Sequence, residues 1–413
     1  GLSSVQLSIG QGLHIVSDGT NWQLAKAGIT ANGTLTNGHC AGFDALGNIV
    51  DEGGPCTTSG GGGTVTAGTA GQLAYYPGSA ATVAGFTTGS AGKCLIAIAG
   101  GPVWGTCNRV DVVAVCGADP TGAVDSSSAF NTCLTTYGNV FVPTGTYHVT
   151  TTINLNANLM SLVGENKTTT KIVGTGNANN VMSFVGAVDN LEIGNLTIDR
   201  TGTPSSGVAG IGCDPATAHT SVYLHDVNVL NQNQGIQMCG ADSALVQNVD
   251  SSSNFSDGIF MKTIPSYPLQ WNFFNVSASS NGGWGFLVEA QNADLPMGTW
   301  NTVGTFANTS GGVRVHGTGA TNVNDLRVSN MTLSSDGSGG ELSIATGGGC
   351  CNIFDNIFAE QTGSQSTGRS GATPAALSGS CIVINGNRDV VIHTMIAFKC
   401  SNSGVKTDGS NTT

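Results

Sequence analysis

The sequence predicts an all-β solenoid preceded by small β-rich segments, and three observations carry that expectation. The first is an echo: Gly235-Ile-Gln-Met, Gly258-Ile-Phe-Met, Gly285-Phe-Leu-Val and Gly312-Val-Arg-Val, whose glycines stand 23, 27 and 27 residues apart. The second is its companion: Asn195-Leu-Thr-Ile, Asp226-Val-Asn-Val, Asn248-Val-Asp-Ser, Asn275-Val-Ser-Ala and Asn330-Met-Thr-Leu. Short alternating strands repeating every 20 to 30 residues or so are the mark of a solenoid, in which each coil buries its apolar face against the next. The third is composition. Gly accounts for 62 of 413 residues and charged residues for only 9%, with Ser, Thr and Asn abundant and Lys and Glu scarce. That mixture favours β-structure with tight turns.

The hydrophobic fraction of 39% is enough for a packed core. No apolar run reaches the length of a membrane helix, so no span is expected. The net charge of −12, with 13 Lys and Arg and no basic cluster, argues against a nucleic-acid partner and fits simple solubility. No Cys-x-x-Cys pair or Cys/His cluster has zinc spacing, and no cofactor motif is present, so neither metal nor cofactor is expected.

From the N-terminus, Val5-Gln-Leu-Ser-Ile9, His14-Ile-Val16 and Trp22-Gln-Leu-Ala25 read as short strands, with hairpin signals at Asp18-Gly19 and Ala31-Asn-Gly33. This gives a β-rich domain over residues 1–60. Ser59-Gly-Gly-Gly-Gly63 reads as a flexible link. Residues 61–108 follow as linker and small β domain, with strands at Gln72-Leu-Ala-Tyr-Tyr76 and from Cys94. The solenoid takes 109–413, with a capping segment at 110–165. In that segment Asp125-Ser-Ser-Ser offers an N-cap, and Ala129 to Leu134 have apolar spacing for one or two helical turns.

Gly38-His-Cys-Ala-Gly-Phe-Asp-Ala-Leu-Gly-Asn-Ile-Val-Asp-Glu-Gly-Gly-Pro-Cys56 and Gly63-Thr-Val-Thr-Ala-Gly-Thr-Ala-Gly-Gln-Leu-Ala-Tyr-Tyr76 resemble pieces of phage tail fibres and tailspikes. Val110 to Phe130, then Val140-Phe-Val-Pro-Thr-Gly-Thr-Tyr-His-Val149 and Leu162-Val-Gly-Glu165, resemble the first segment of the pectate-lyase-like superfamily. The resemblance implies a right-handed parallel β-helix in a homotrimer, joined through its N-terminal part to other virion proteins of a tail or baseplate. It also implies an extracellular location and a bacterial surface polysaccharide as ligand.

Each coil can then be laid out. Leu191 and Ile193 face inward, Asn195 turns a corner, and Leu196 and Ile198 face inward again. Val222/Leu224/Asp226/Val227/Val229, Trp271/Phe273/Asn275/Val276/Ala278, Leu326/Val328/Asn330/Met331/Leu333 and Val390/Ile392/Thr394/Met395/Ala397 repeat the plan. Parallel neighbours lie about 4.8 Å apart, so equivalent residues stack. Asn195, Asp226, Asn248, Asn275 and Asn330 therefore read as an internal corner ladder, scaffold rather than catalyst. Trp271 and Trp300, aligned by a shared Trp-Asn, read as stacked core. The last echo, Ser403-Gly-Val-Lys406, has no capping pattern behind it, so either further chain or a partner chain is expected over the open end.

The twelve cysteines read as disulfides of an extracellular protein. The close pairs Cys40/Cys56 and Cys94/Cys107 are the first choices. Cys116/Cys133 and Cys213/Cys239 are also close, and the pairing of Cys350, Cys351, Cys381 and Cys400 is open.

One outward row carries chemistry. Four residues after successive repeat glycines come Cys239, Lys262, Glu289 and His316, the last three on adjacent coils. Longer excursions follow two of them, Thr263 to Leu269 and Ala290 to Met297, natural walls for a groove. Tyr267 there can stack on a sugar, and Asp294 adds a carboxylate near Glu289. Glycoside hydrolysis needs two carboxylates, which makes Glu289 and Asp294 the catalytic candidates. A lyase needs a base and a cation for the anionic intermediate, a role open to Lys262, Arg200 or Arg314. Asp199-Arg200, just past a strand, is a further exposed pair. The plain alternative for all of them is a surface salt-bridge row of little energetic weight. No Asn-Thr-Asp, Asp-Asp, Gly-His-Gly or Arg-Ile-Lys of polygalacturonase-like enzymes occurs, nor the calcium-binding Asp set or Arg-x-Pro-x-x-Arg of pectate lyases. Three readings follow: a phage tailspike or tail fibre that binds and cleaves polysaccharide, an adhesive fibre without catalysis, and a secreted bacterial polysaccharide lyase or hydrolase.

Overall fold

The computed structural model describes residues 109–413 except 214–218, 263–268, 292–294, 297, 319–322, 335, 338–340, 346–351, 361–379, 386–389, 401 and 409–413. Before them it describes residues 13–17, 22–27, 34, 39–43, 49–55, 73–75, 84–86, 93–98 and 101–106. The chain divides into two compact units, Gly1–Ser90 with Leu95–Trp104, and Ala91–Cys94 with Gly105–Thr413. The first contains antiparallel strand pairs: Leu13–Ser17 with Trp22–Ala27, His39–Phe43 with Ile49–Pro55, and Leu73–Tyr75 with Ala84–Phe86, while Asp18-Gly19 and Ala31-Asn-Gly33 lie outside the described residues.

The second unit is a parallel β-helix of about nine turns. Two long sheets wind around one core. Sheet A starts at Val110–Asp111 and passes through Asp189–Arg200, His219–Leu230, Ala241–Ser252, Leu269–Ser279, Thr299–Phe306, Arg327–Ser334 and Asn352–Glu360. Sheet B passes from Ile153–Leu155 through Ala209–Cys213, Gln234–Met238, Ile259–Lys262, Trp284–Gln291, Gly311–Thr318 and Leu342–Ala345 to Val405–Asp408. Ile211, Ile236, Ile259, Phe286, Val313, Leu342 and Ile382 form one inward row of sheet B, all buried.

Two helices cover the first coil: α1, Val112–Cys116, and α2, Ser127–Tyr137. Asp111 caps α1, accepting from the N–H groups of Val113 (2.8 Å) and Ala114 (2.9 Å). Helix α2 is longer than its apolar spacing predicts. Its eleven residues continue until Gly138, and Phe130, Cys133 and Leu134 are its buried apolar positions. Asp125 lies one residue further out than a cap. Its carboxylate accepts from Ser127 and Thr150, tying the helix start to the strand Gly145–Val149. The disulfide Cys116–Cys133 joins α1 to α2.

The corner row is real but faces outward, which corrects the expectation of an internal ladder. Asn195, Asp226, Asn248, Asn275 and Asn330 all have φ between 52° and 56°. Asn and Asp tolerate this left-handed conformation better than other side-chain-bearing residues, which explains the sequence echo. Their side chains are half-buried or exposed, and they bond along the surface: Asn248 Nδ2 donates to Asp226 (3.2 Å) and Asn275 Nδ2 to Asn248 (2.9 Å). Thr302 takes the corner on the next coil.

A different row is internal. Asn254, Asn281 and Asn308, each four residues before a repeat glycine, are fully buried. Asn254 Nδ2 donates to Asn281 Oδ1 (2.9 Å), Asn281 Nδ2 to Asn308 Oδ1 (2.8 Å), and Asn308 Nδ2 to Asp336 Oδ1 (2.7 Å). The backbone N–H of each Asn donates to the same acceptor. This ladder is why the glycines repeat: a Cβ on Gly258 would lie 2.6 Å from Asn281 Nδ2, and one on Gly285 2.8 Å from Asn308 Nδ2. Beyond Asp336 sits Glu341, also fully buried, which accepts from the Asp336 N–H (3.1 Å). Burial raises both carboxyls. Glu341 rises further, because the Asp336 charge adds to its burial, whereas bonds from Glu341, then Thr305 and Asn308, hold Asp336 down.

Both tryptophans are core, 1% and 0% exposed, but they do not stack on each other. Trp300 is in register with Phe273, their rings 5.0 Å apart, while Trp271 donates its N–H to Cys239 O (2.9 Å). The shared Trp-Asn misleads because the strand register is offset by one inward position.

Disulfides join Cys213 to Cys239 and Cys381 to Cys400 as well. Cys56, Cys107, Cys350 and Cys351 lie outside the described residues, as do the side chains of Cys40 and Cys94, so those pairings carry no structural account here.

On the outer face of sheet A, His225 is held between Glu192 (Nε2···Oε1 3.2 Å) and Asp226 (Nδ1···Oδ2 3.0 Å). Glu192 also pairs with Arg109 at 2.5 Å. The imidazole lies over Gly194, where a Cβ would collide with its ring, and stacks on Tyr223 at 4.4 Å. This brace ties Arg109, just before the first strand of sheet A, to the strands Asp189–Arg200 and His219–Leu230.

Candidate functional site

The outer face of sheet B carries the predicted row. Lys262 is in register with Glu289, and Glu289 with His316, so the three stand one coil apart as the glycine spacing requires. All three are half-buried, because the inward neighbours Met261, Val288 and Val315 anchor each strand and leave the alternate positions at the surface. No ion pair joins the three to one another among the described residues. Cys239, at the same position one coil earlier, is 2% exposed and tied to Cys213, so the row ends there against a cystine wall.

Beside that wall is a pocket of about 150 Å³ lined by Cys213, Gln237, Met238, Cys239, Phe260 and Lys262. Its floor is apolar and Lys262 stands at one side. A second outward row runs parallel to the first, two residues after the repeat glycines: Gln237, Phe260, Leu287 and Arg314. The Arg314 guanidinium lies 5.7 Å from the ring centroid of Trp284, an arrangement favoured by the ring's negative face. Phe260, Gln237 and Trp284 were not among the residues expected from sequence. The alternation that exposes Lys262 also exposes Phe260, so reading both outward positions of each strand would have found Phe260 and Gln237. Trp284 precedes its repeat glycine, a position the strand pattern does not mark.

Tyr267 and Asp294 lie outside the described residues, as do most of the two excursions that carry them. Asp199 and Arg200 are not an exposed pair beyond a strand; both belong to the strand Asp189–Arg200. Arg200 is 4% exposed, and its guanidinium donates to Gln232 Oε1 (2.8 Å), Gly176 O and Asn179 O (2.7 Å). A guanidinium turned into the coil and saturated by its own chain is a strut, and burial pulls its pKa down. Asp199 is half-buried and accepts from Arg200 N and from Asn231 Nδ2.

The described surface therefore combines two cations, two aromatic rings, one imidazole and one carboxylate. Asp257 is the next carboxyl, but it is buried and accepts from Trp284 N (2.9 Å), with burial first and then the Glu289 charge opposing its ionisation. It acts on the turn, not on the surface. Among the described residues no group of three metal-ligating side chains is present.

No family model and no curated protein matches the chain. Solved structures do. ORF18 of Geobacillus virus E2 superposes with a TM-score of 0.52 at 14% identity, covering 73% of this chain and 60% of that one. The pre-mature gene product 12 of bacteriophage phi29 superposes with a TM-score of 0.51 at 15% identity, covering 73% and 42%. This chain thus spans less than two thirds of either protein, and the likeness is one of fold.

Proposed function

We propose that the chain is a phage tailspike or tail-fibre receptor-binding protein that attaches to bacterial surface polysaccharide along the outer face of sheet B. In this reading residues 1–60 join the other tail or baseplate proteins, residues 61–108 link and 109–413 form the binding shaft of a homotrimer on the virion. The observation that carries it is the stacked row Lys262, Glu289 and His316 beside the pocket at Phe260. A rigid, repeating surface with aromatic and charged side chains in register suits a repeating ligand better than a small molecule. Support comes also from the two solved structures of like fold, both virus proteins.

Cleavage is part of this proposal, with Glu289 and Asp294 as the carboxyl pair and Lys262, His316, Arg314 and Tyr267 holding substrate. The competing reading is an adhesive fibre without catalysis. It is favoured by the single carboxylate on the described surface and by the missing signatures. Capsular and lipopolysaccharide from candidate hosts, incubated with the protein, separate the two. New reducing ends mark hydrolysis, reducing ends with ultraviolet absorbance from an unsaturated sugar mark a lyase, and binding alone marks the adhesive fibre. Glu289→Gln and Asp294→Asn are expected to abolish cleavage without unfolding; wild-type rates in both overturn the catalytic assignment.

A further inference from the structure

The protein contains 25 Asp and Glu against 13 Lys and Arg. Among the described residues the ion pairs are His39–Asp51, Arg109–Glu192, His225–Glu192 and His225–Asp226. Lys262 and Arg314 take part in none of them. Both instead stand beside an aromatic ring on the same outer face. Lys262 shares the pocket with Phe260, and Arg314 lies on Trp284. A guanidinium without an internal carboxylate partner can bind a ligand carboxylate with two parallel hydrogen bonds. At Phe260, an aromatic ring with Lys262 beside it matches a sugar ring that carries a carboxylate, the C–H face packing on the aromatic and the acid meeting the cation, while Arg314 over Trp284 offers a second cation for the next acid.

The two cations, Lys262 and Arg314, stand two coils apart, about 9.6 Å along the solenoid axis, with Trp284 on the strand between them. The coil between them carries Glu289 in register with both Lys262 and His316. An acid on every sugar would bring one of them against Glu289, where like charges repel. An acid on every second sugar meets a cation each time, since two coils span roughly one disaccharide.

We infer that this face selects acidic polysaccharides whose carboxylates fall on alternate sugars, with Lys262 beside Phe260 and Arg314 beside Trp284 as the two cations that receive them. The inference rests on the polysaccharide-attachment reading. Glu289 acts here as a filter on spacing, in addition to any catalytic role. The net charge of −12 repels a polyanion at long range, so recognition depends on these local cations and weakens steeply with salt.

The test uses the full chain and a panel of immobilised bacterial capsular polysaccharides of defined repeat unit: neutral, acidic on alternate sugars, and acidic on every sugar. Each polymer that binds is measured again after chemical reduction of its carboxyls to alcohols. Alternating acidic polymers are expected to bind best, and reduction to abolish binding. Lys262→Ala and Arg314→Ala should each weaken affinity by about tenfold or more, with unchanged thermal midpoints because neither residue belongs to the core. Glu289→Gln should raise affinity for the polymer with an acid on every sugar. Equal binding of neutral polymers, or indifference to carboxyl reduction or to both alanine variants, overturns the inference and leaves polysaccharide attachment standing. Tight binding of the every-sugar acid polymer by the wild type overturns the spacing argument. Binding to no polymer in the panel removes the attachment reading itself, and the inference with it.

Discussion

Replacing Asn281 with alanine tests the interior ladder most directly. The Asn281 side chain accepts from the backbone N–H (3.0 Å) and Nδ2 (2.9 Å) of Asn254, and its own Nδ2 donates to Asn308 Oδ1 (2.8 Å) and Ser251 O (3.1 Å). All of this happens with no exposure to water. In the alanine variant Asn254 N–H loses that acceptor outright. Asn254 Nδ2 keeps a longer bond to Ser251 Oγ (3.3 Å), and Asn308 Oδ1 keeps the backbone N–H of residue 281 (3.1 Å). One stranded donor and three weakened groups, at roughly 1–3 kcal/mol for each buried polar group left unsatisfied, give a loss of about 3–5 kcal/mol. Asn275→Gly is the control. Glycine keeps the left-handed corner, and the exposed bond to Asn248 (2.9 Å) is worth about 1 kcal/mol or less. Because each coil contacts only its neighbours, the loss should concentrate in the coils around residues 254–308. Hydrogen exchange of those strands together with urea unfolding measures it. A loss from Asn281→Ala no larger than that from Asn275→Gly would mean that the buried amides add nothing to stability.

Three further outcomes follow from the same geometry. Glu341 is held protonated in the fold, its pKa pushed up to about 10 by burial and by Asp336, so the folded state keeps a proton that the unfolded chain releases above the ordinary value of 4.5. Its contribution is therefore complete at low pH and is lost as pH rises, by up to about 1.4 kcal/mol per unit, and Glu341→Gln should flatten the fall between mildly acidic and mildly alkaline pH in urea midpoints. Gly194→Ala places a methyl against the His225 ring, which must leave Glu192 and Asp226; a loss of about 1–3 kcal/mol is expected, read as a lower thermal midpoint. Cys213→Ser with Cys239→Ser opens a loop with a sequence separation of 26 and should cost about 3 kcal/mol, with free-thiol titration confirming that the pair is bonded in the wild type.

Much of the architecture was legible before any coordinates. The glycine echo gave the register of Lys262, Glu289 and His316 correctly, since each follows its glycine by the same number of residues along strands that start together. The corner Asn row was legible as a row but not as to its side. A left-handed residue between two inward-facing ones can put its side chain either way, and it is the bend of the backbone that turns Asn275 and Asn330 out to solvent. The same ambiguity hid Asn254, Asn281 and Asn308, which look like ordinary turn residues in Ser/Gly-rich stretches. Arg200 was misplaced because a charged residue at a strand end reads as surface, whereas here the carbonyls of Gly176 and Asn179 turn toward it.

By itself the sequence determined the solenoid, its period, its inward rows and the residues that stack on one outer face. These follow from local alternation and from repetition, and both are one-dimensional properties. Only the tertiary structure decided which polar ladder is buried, that Trp300 packs on Phe273 rather than Trp271, that Arg200 is a strut, and that Phe260 and Trp284 stand beside cations. Each of those depends on the register between coils and on which way the chain bends at a corner. Such offsets are settled by packing across some 4.8 Å of neighbouring strand, and no single coil carries that information in its own residues.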